Sequence, residues 1–172
     1  VTVDDDDSRH YSHVDLDVDH AQRRSTITIR TPDSTGPSTL DEIHAAGTDW
    51  WPLKVFRELN DCLLHLRLNL LDIGCIVLKT SGNQDTVLSI DEILETHKDD
   101  WFVNEVRHYV KRTLKRLDYT AKTIFALADE GSAFAGVLFE LALAADRFFM
   151  LDDPDETVTV NLSKANGGSY PM

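Results

Sequence analysis

The feature that most constrains the fold is an alternation of helical patterns with short, nearly unbroken apolar runs. Apolar residues recur every three or four positions in residues 53–70 and again in 102–117, the period of a helix with one buried face. The runs 73–78 and 123–128 follow these two patterns, and such runs are typical of strands covered on both faces. The alternation predicts parallel strands joined by right-handed crossovers, hence an α/β fold.

The front of the chain has a different pattern. Residues 14–18 and 25–30 alternate apolar and polar side chains, which predicts a β-hairpin with one buried face. Residues 31–49 are interrupted by proline and glycine and are expected to form a loop. The four aspartates at 4–7 indicate that residues 1–13 are an acidic, disordered lead.

One domain is expected over residues 14–172. After the second apolar run, residues 136–145 predict a third helix, and 148–151 and 158–160 predict strands. The chain starts on Val1 without a methionine and stops just after a strand-like pattern. We therefore expect a fragment of a larger protein.

The charge balance excludes several classes of function. Lys and Arg number 17 against 30 Asp and Glu, a formal net charge of −13, which opposes binding to nucleic acids and to anionic membranes. Cys62 and Cys75 lie inside apolar patterns and indicate a reducing compartment without disulfides. No signal peptide is visible, and a cytoplasmic location is expected.

A more specific signal lies in residues 123–151, which read strand, glycine-containing loop, helix and strand. The chain has Gly136, then Glu140-Leu141-Ala142, and an aspartate six residues after the glutamate. This segment resembles the Gly-Gly-Gly-x-Glu-Leu-Ala motif of the crotonase (enoyl-CoA hydratase/isomerase) superfamily. The resemblance implies an α/β crotonase-like (Clp protease/crotonase) ββα spiral, truncated at its C-terminus.

The resemblance narrows to the benzoyl-CoA-dihydrodiol lyase family, the ring-opening enzymes of aerobic benzoate degradation. It runs from about Val14 to Met172 and lies in the C-terminal half of that family, a second crotonase-like unit after a better-formed first one. The matching stretches occur in family order at residues 50–53, 71–74, 77–80, 97–103, 112–118 and 169–172.

The resemblance implies part of a carbon-carbon lyase. Such an enzyme converts epoxy-dihydrobenzoyl-CoA and two waters into an open-chain semialdehyde CoA ester and formate. No metal and no organic cofactor are implied, because CoA is part of the substrate. The implied partners are an aromatic acyl-CoA and the N-terminal half of the same enzyme. A homo-oligomer is also expected, since the apolar faces of both long helices exceed what one small sheet covers.

Crotonase chemistry needs two backbone N–H groups that bind the thioester oxygen and carboxylates that move protons. By motif position the N–H groups belong to Leu88 and Val137, and the carboxylate to Glu140. Leu88-Ser89-Ile90-Asp91 stands where the family has a loop with the pattern Ala-Gly-Ala-Asp, and Val137-Leu138 replaces two glycines. These bulky residues indicate a degenerate oxyanion hole, and Glu140 is then better interpreted as a structural residue than as a catalytic one.

A basic turn on the second long helix is the candidate for contacts with the CoA phosphates: Lys111, Arg112, Lys115 and Arg116. The alternative is a solvated helix surface. His10 and His13 lie among aspartates, but we expect no metal site there. Ser132 is not in a nucleophile elbow. Two other functions stay open, a self-contained enoyl-CoA hydratase/isomerase-type enzyme and a non-catalytic interaction domain.

Overall fold

The computed structural model describes residues 1–152, 154–155 and 157–170. Pro171 and Met172, the end of the last family-like stretch, lie outside the described residues. The described strands are β1 (Thr2–Val3), β2 (Arg9–His10), β3 (Val14–Asp19), β4 (Arg24–Arg30), β5 (Cys75–Ser81), β6 (Thr123–Ala128) and β7 (Arg147–Met150). The helices are α1 (Leu40–Ala46), α2 (Trp51–Leu68), α3 (Gln84–Thr96), α4 (Trp101–Asp118) and α5 (Gly136–Leu143).

The strands form one mixed sheet in chain order, β1 to β7. Neighbours from β1 to β4 are antiparallel, and those from β4 to β7 are parallel. The predicted hairpin is therefore confirmed, and so is the α/β arrangement that follows it. In β4, β5 and β6, burial alternates along most of each strand, so the helices bury chiefly one face of the sheet and not both as predicted.

The core lies between that face and the helices. The apolar stripe of α2 packs against α4, and residues such as Leu63, Leu66, Val106 and Val110 are buried. Pro52 lies in the first turn of α2, where its missing N–H costs nothing. The apolar faces of both long helices are thus covered within the chain, and the excess of apolar surface expected there is not observed.

The structure also differs from the sequence prediction at three segments. Residues 4–7 form the turn between β1 and β2, which extend the sheet, instead of a disordered run. The expected loop 31–49 contains α1, whose Thr39 and Glu42 form a capping box. Residues 158–160 are not a strand, and only Asn161 makes an isolated bridge, to Ala135.

No helix in the described ranges is long and apolar enough to span a bilayer.

Candidate functional site

The start of α5 is the centre of the candidate site. Gly136 has a φ of +45°, a backbone conformation that side chains with a Cβ rarely adopt. Its N–H donates to the carbonyl of Asn161 at 2.9 Å, so the segment that follows β7 lies directly on this turn. The next residue, Val137, presents the backbone N–H that the family motif assigns to the oxyanion hole.

The Val137 N–H is already bonded to a carboxylate. Asp91 of α3 accepts a 2.9 Å hydrogen bond from Val137 N and a 2.7 Å bond from Ser163 Oγ, both at Oδ2. A Cβ at Gly136 would overlap the same Oδ2 atom. The glycine is therefore required twice, by its backbone conformation and by the close approach of Asp91. The N–H that the family motif assigns to the oxyanion hole is therefore already occupied by a carboxyl group of the chain itself.

Glu140 lies one turn further along α5 and is held by one side chain. Its Oε1 accepts a 2.6 Å bond from Asn166 Nδ2, which also donates to the Gly136 carbonyl at 2.9 Å. Asn166 in turn accepts a bond from the Ser163 N–H. The 3₁₀ turn Lys164–Gly167 and its N-cap Ser163 thus bind both carboxyl groups of the site.

Burial governs the protonation of both acids, because each residue is only 4 % exposed. Burial raises the pKa of Asp91 to about 6, the nearby Glu140 charge adds to this rise, and the bonds from Ser163 and Val137 oppose it. Burial also raises the pKa of Glu140, and the Asn166 bond opposes that rise. Among the described residues neither acid makes an ion pair. Asp91 can therefore gain or lose a proton just below neutral pH.

A cleft of about 350 Å³ opens beside Asp91, within the size range of small-molecule sites. Its lining combines apolar, acidic and basic side chains from α3 and the 3₁₀ turn, among them Leu88, Glu95, Lys98 and Lys164. The Oδ1 atom of Asp91 is shielded from solvent and has no hydrogen-bond partner in the described part of the chain. The paired oxygen, Oδ2, is the one that holds the α5 turn.

Leu88 lies within α3 and not in a loop. The helix begins after Asn83, whose side chain accepts bonds from the Asp85 and Thr86 N–H groups. At position 88 a helical N–H is directed to the carbonyl four residues earlier. Its side chain lines the cleft, but its backbone N–H does not converge with that of Val137 on a shared oxygen site in this conformation. The family pattern places a loop at this position, and the structure has a helix there instead.

The structure places the other predicted residues away from this site. Lys111, Arg112, Lys115 and Arg116 lie together along one face of α4. His10 is hydrogen-bonded to Asp15 and Asp4 at 3.0 and 3.3 Å, and no group of metal-binding side chains occurs within the described ranges.

Ser132 is hydrogen-bonded to Asp129 in a tight turn at the end of β6, where Asp129 also pairs with Lys79.

Three site residues were given no role from the sequence: Asp91, Ser163 and Asn166. Asp91 offered one signal, since it aligns with the aspartate of the family pattern Ala-Gly-Ala-Asp. Ser163 and Asn166 offered only a possible cap signature, a serine with an asparagine three residues later. Their contacts with α3 and α5 join residues that are 26 to 72 positions apart in the chain.

The fold and the turn at Gly136 define the class: the chain has the crotonase, or enoyl-CoA hydratase, fold. It superimposes on an enoyl-CoA hydratase of Geobacillus kaustophilus with a TM-score of 0.60 and 16 % identity, over 94 % of this chain and 53 % of that one. An enoyl-CoA hydratase/isomerase of Xanthobacter autotrophicus gives a TM-score of 0.59 and 16 % identity, over 89 % and 49 %. Identities this low support the fold alone.

The particular resemblance is to benzoyl-CoA-dihydrodiol lyase, as the sequence predicted. The chain is 44 % identical to that protein from Aromatoleum evansii over 168 residues, which are 98 % of this chain and 30 % of the relative. The chain thus spans less than a third of the curated relative that it matches. No protein-family model matches the chain.

Proposed function

We propose that this chain is a supporting, non-catalytic crotonase unit of a CoA-ester lyase. The lyase would open the ring of epoxy-dihydrobenzoyl-CoA by hydrolysis, as the resemblance to benzoyl-CoA-dihydrodiol lyase implies. The identity of 44 % along nearly the whole chain supports the assignment to this ring-opening reaction. The match to only 30 % of the relative supports a division of labour, in which another part of the polypeptide carries the reacting groups.

The observation that carries the proposal is the Asp91–Val137 hydrogen bond. Crotonase catalysis stabilises negative charge that develops on a thioester oxygen, and preorganised N–H donors supply that stabilisation. Here the Val137 N–H already binds a carboxylate oxygen at 2.9 Å. A thioester oxygen would have to displace this internal anion, so the N–H gives no net stabilisation to a developing oxyanion.

Glu140 has a structural role in this proposal. Its carboxyl group is buried against Asn166, which also binds the carbonyl of Gly136. It therefore fixes the 3₁₀ turn to the start of α5. The function of the unit would be to shape one wall of the acyl-CoA site and to contact the N-terminal half of the enzyme or a second copy of it.

A segment exchange tests the proposal. In the Aromatoleum evansii lyase, the segment that matches this chain is replaced by the chain itself, and formate release from epoxy-dihydrobenzoyl-CoA is measured. We expect the chimera to keep activity within about tenfold of the relative, a loss of less than about 1.4 kcal/mol in transition-state stabilisation. The isolated chain should release no formate above a buffer blank.

Two results would contradict this assignment. A chimera that melts cooperatively near the temperature of the relative and still releases no formate would show that the chain serves another function. Activity of the isolated chain would show a self-contained enzyme of the enoyl-CoA hydratase/isomerase type. Introducing Asp91→Ala into the chimera adds a further check, because a wall-forming role predicts little change in turnover if the fold is retained.

A further inference from the structure

A basic groove lies on the outer face of α4, near the end of α2. It has a volume of about 540 Å³ and is lined by Arg67, His108, Lys111, Arg112, Lys115, Arg116 and Tyr119. The α4 residues are spaced by three and four positions, so they form one strip along the helix. Five of the 17 Lys and Arg residues of an otherwise acidic chain are gathered here.

These cations have no anionic partner within residues 1–152, 154–155 and 157–170. Every ion pair of 4 Å or less in that part of the chain involves other residues. The Nε atom of Arg116 is also shielded from solvent and lacks a hydrogen-bond partner there. A shielded guanidinium N–H without an acceptor is costly, and a rotation of this side chain toward the groove would bring it to a bound oxyanion.

Helix dipoles account for only part of the cluster. Lys115 and Arg116 lie in the last turn of α4, and Arg67 lies in the last turn of α2, where cations are favourable. Lys111 and Arg112 lie a full turn earlier, beyond the reach of the dipole. Each faces a like charge four residues on, which destabilises an isolated helix. An anion in the groove would remove this repulsion.

We infer that the groove binds a small ligand that carries two or more phosphate groups. Several cations on two helices can contact separated phosphates at once, and guanidinium groups match phosphate oxygens in pairs. The stack of Arg112 on the Tyr109 ring, 5.5 Å from guanidinium carbon to ring centre, holds one of these groups in place. Tyr119 is 68 % exposed at one end of the groove and offers an aromatic face to a base.

Two sources share this chemistry, the nucleotide part of an acyl-CoA and a free polyphosphate. The phosphate site itself does not depend on the proposed function, whereas its assignment to CoA rests on it. Calorimetric titration of the chain at low salt measures its affinity for two probes, pyrophosphate and adenosine 3′,5′-bisphosphate. Sulfate at matched ionic strength is the reference. We expect both probes to bind, and their affinity to fall as salt rises.

Charge reversal of one arginine localises the site. Arg112→Glu should raise the dissociation constant of both probes by about tenfold or more, since a charge-assisted contact is lost. Arg57→Glu is the matched control: the same residue type, also exposed, on α2 and outside the groove lining. It makes the same change in net charge and should alter binding by no more than about twofold.

The outcomes separate the alternatives. Tighter binding of the adenosine bisphosphate than of pyrophosphate supports the CoA nucleotide as the source, and equal binding supports a free polyphosphate. Failure of both probes to bind better than sulfate would overturn the inference. Equal weakening of probe binding by Arg112→Glu and Arg57→Glu would also overturn it, because the probes would then respond to the net charge of the chain and not to a site. Groove-dependent binding of a single-stranded oligonucleotide, tighter than of either probe, would also overturn it.

Discussion

Replacing Asp91 by asparagine should change how the stability of this chain depends on pH. The carboxylate is buried, and one oxygen accepts bonds from Val137 N–H and Ser163 Oγ, whereas the other has no partner among the described residues. An amide has nearly the same shape, and its oxygen can accept both bonds. The substitution therefore removes a buried charge with little change in packing, and the remaining cost, an amide NH₂ without a partner, does not depend on pH.

The magnitude follows from the pKa of Asp91, which burial raises from 3.8 to about 6. Between these two pH values the folded chain binds more protons than the unfolded chain, so its free energy of unfolding falls as the pH rises. The loss is absent below about pH 3.8 and complete above about pH 6. A shift of about 2 units corresponds to a loss of about 3 kcal/mol at neutral pH.

The assay is urea denaturation of both proteins at several pH values. We expect the stability of Asp91→Asn relative to the original chain to increase by about 2 kcal/mol between about pH 4.5 and 7.5. Subtracting the two profiles cancels groups that titrate in both proteins. Glu92→Gln, which removes an exposed carboxylate from the next position of α3, should give a difference that stays flat within about 0.5 kcal/mol.

A flat difference for Asp91→Asn would refute the reasoning. It would mean that the carboxylate is solvated at neutral pH and does not fill the position at the Val137 N–H. The opposite slope, with the asparagine variant losing relative stability as the pH rises, would mean that the folded chain favours the charged carboxylate. The flat difference would also remove the main support for a non-catalytic unit, whereas the opposite slope would leave an anion in place at the Val137 N–H.

Three further predictions concern the same turn and the sheet edge. Gly136→Ala should lower the free energy of unfolding by about 3 kcal/mol or more, because of its positive φ and the overlap of a Cβ with Asp91. Gly167→Ala, which has open space around it, should cost less than about 1 kcal/mol in the same urea denaturation assay. Glu140→Gln in the chimera should leave kcat within about threefold, and a fall of about a hundredfold at an unchanged melting temperature would restore a proton-transfer role. Light scattering should give a molar mass above the 19.4 kDa of one chain, because Phe149 and Met150 of the edge strand β7 are half exposed and favour association. A monodisperse monomer at low and high salt would contradict this.

The sequence was sufficient where structure depends on short-range periodicity. The hairpin, both long helices and the two central parallel strands were predicted from patterns within 20 residues. In the hairpin and the helices one buried face sets the spacing of apolar side chains, and the two central strands were predicted from nearly unbroken apolar runs. The basic strip on α4 was also predictable, since a helix brings residues three and four apart together. The crotonase resemblance depended on a local motif around Gly136 and Glu140, and the fold confirms it.

Other elements were missed although local signals existed. Asn83 caps α3, and Thr39 with Glu42 caps α1. The sequence prediction used neither cap, since it aligned residues 88–91 with a family loop and relied on proline and glycine in residues 31–49. Residues 158–160 alternate like a strand but do not pair as one, because alternation shows only that a strand could form. Whether it pairs depends on a free edge of the sheet at that place.

The composition of the candidate site was decided by the tertiary structure alone. The sequence supplied Glu140 and the position of Val137, and it showed that their surroundings depart from the family pattern. It could not show that Asp91, 46 residues before Val137, would place its carboxylate on that N–H, or that Ser163 and Asn166 would close the site. Hydrogen bonds between distant segments depend on how helices pack on the sheet, and no periodicity along the chain encodes that packing.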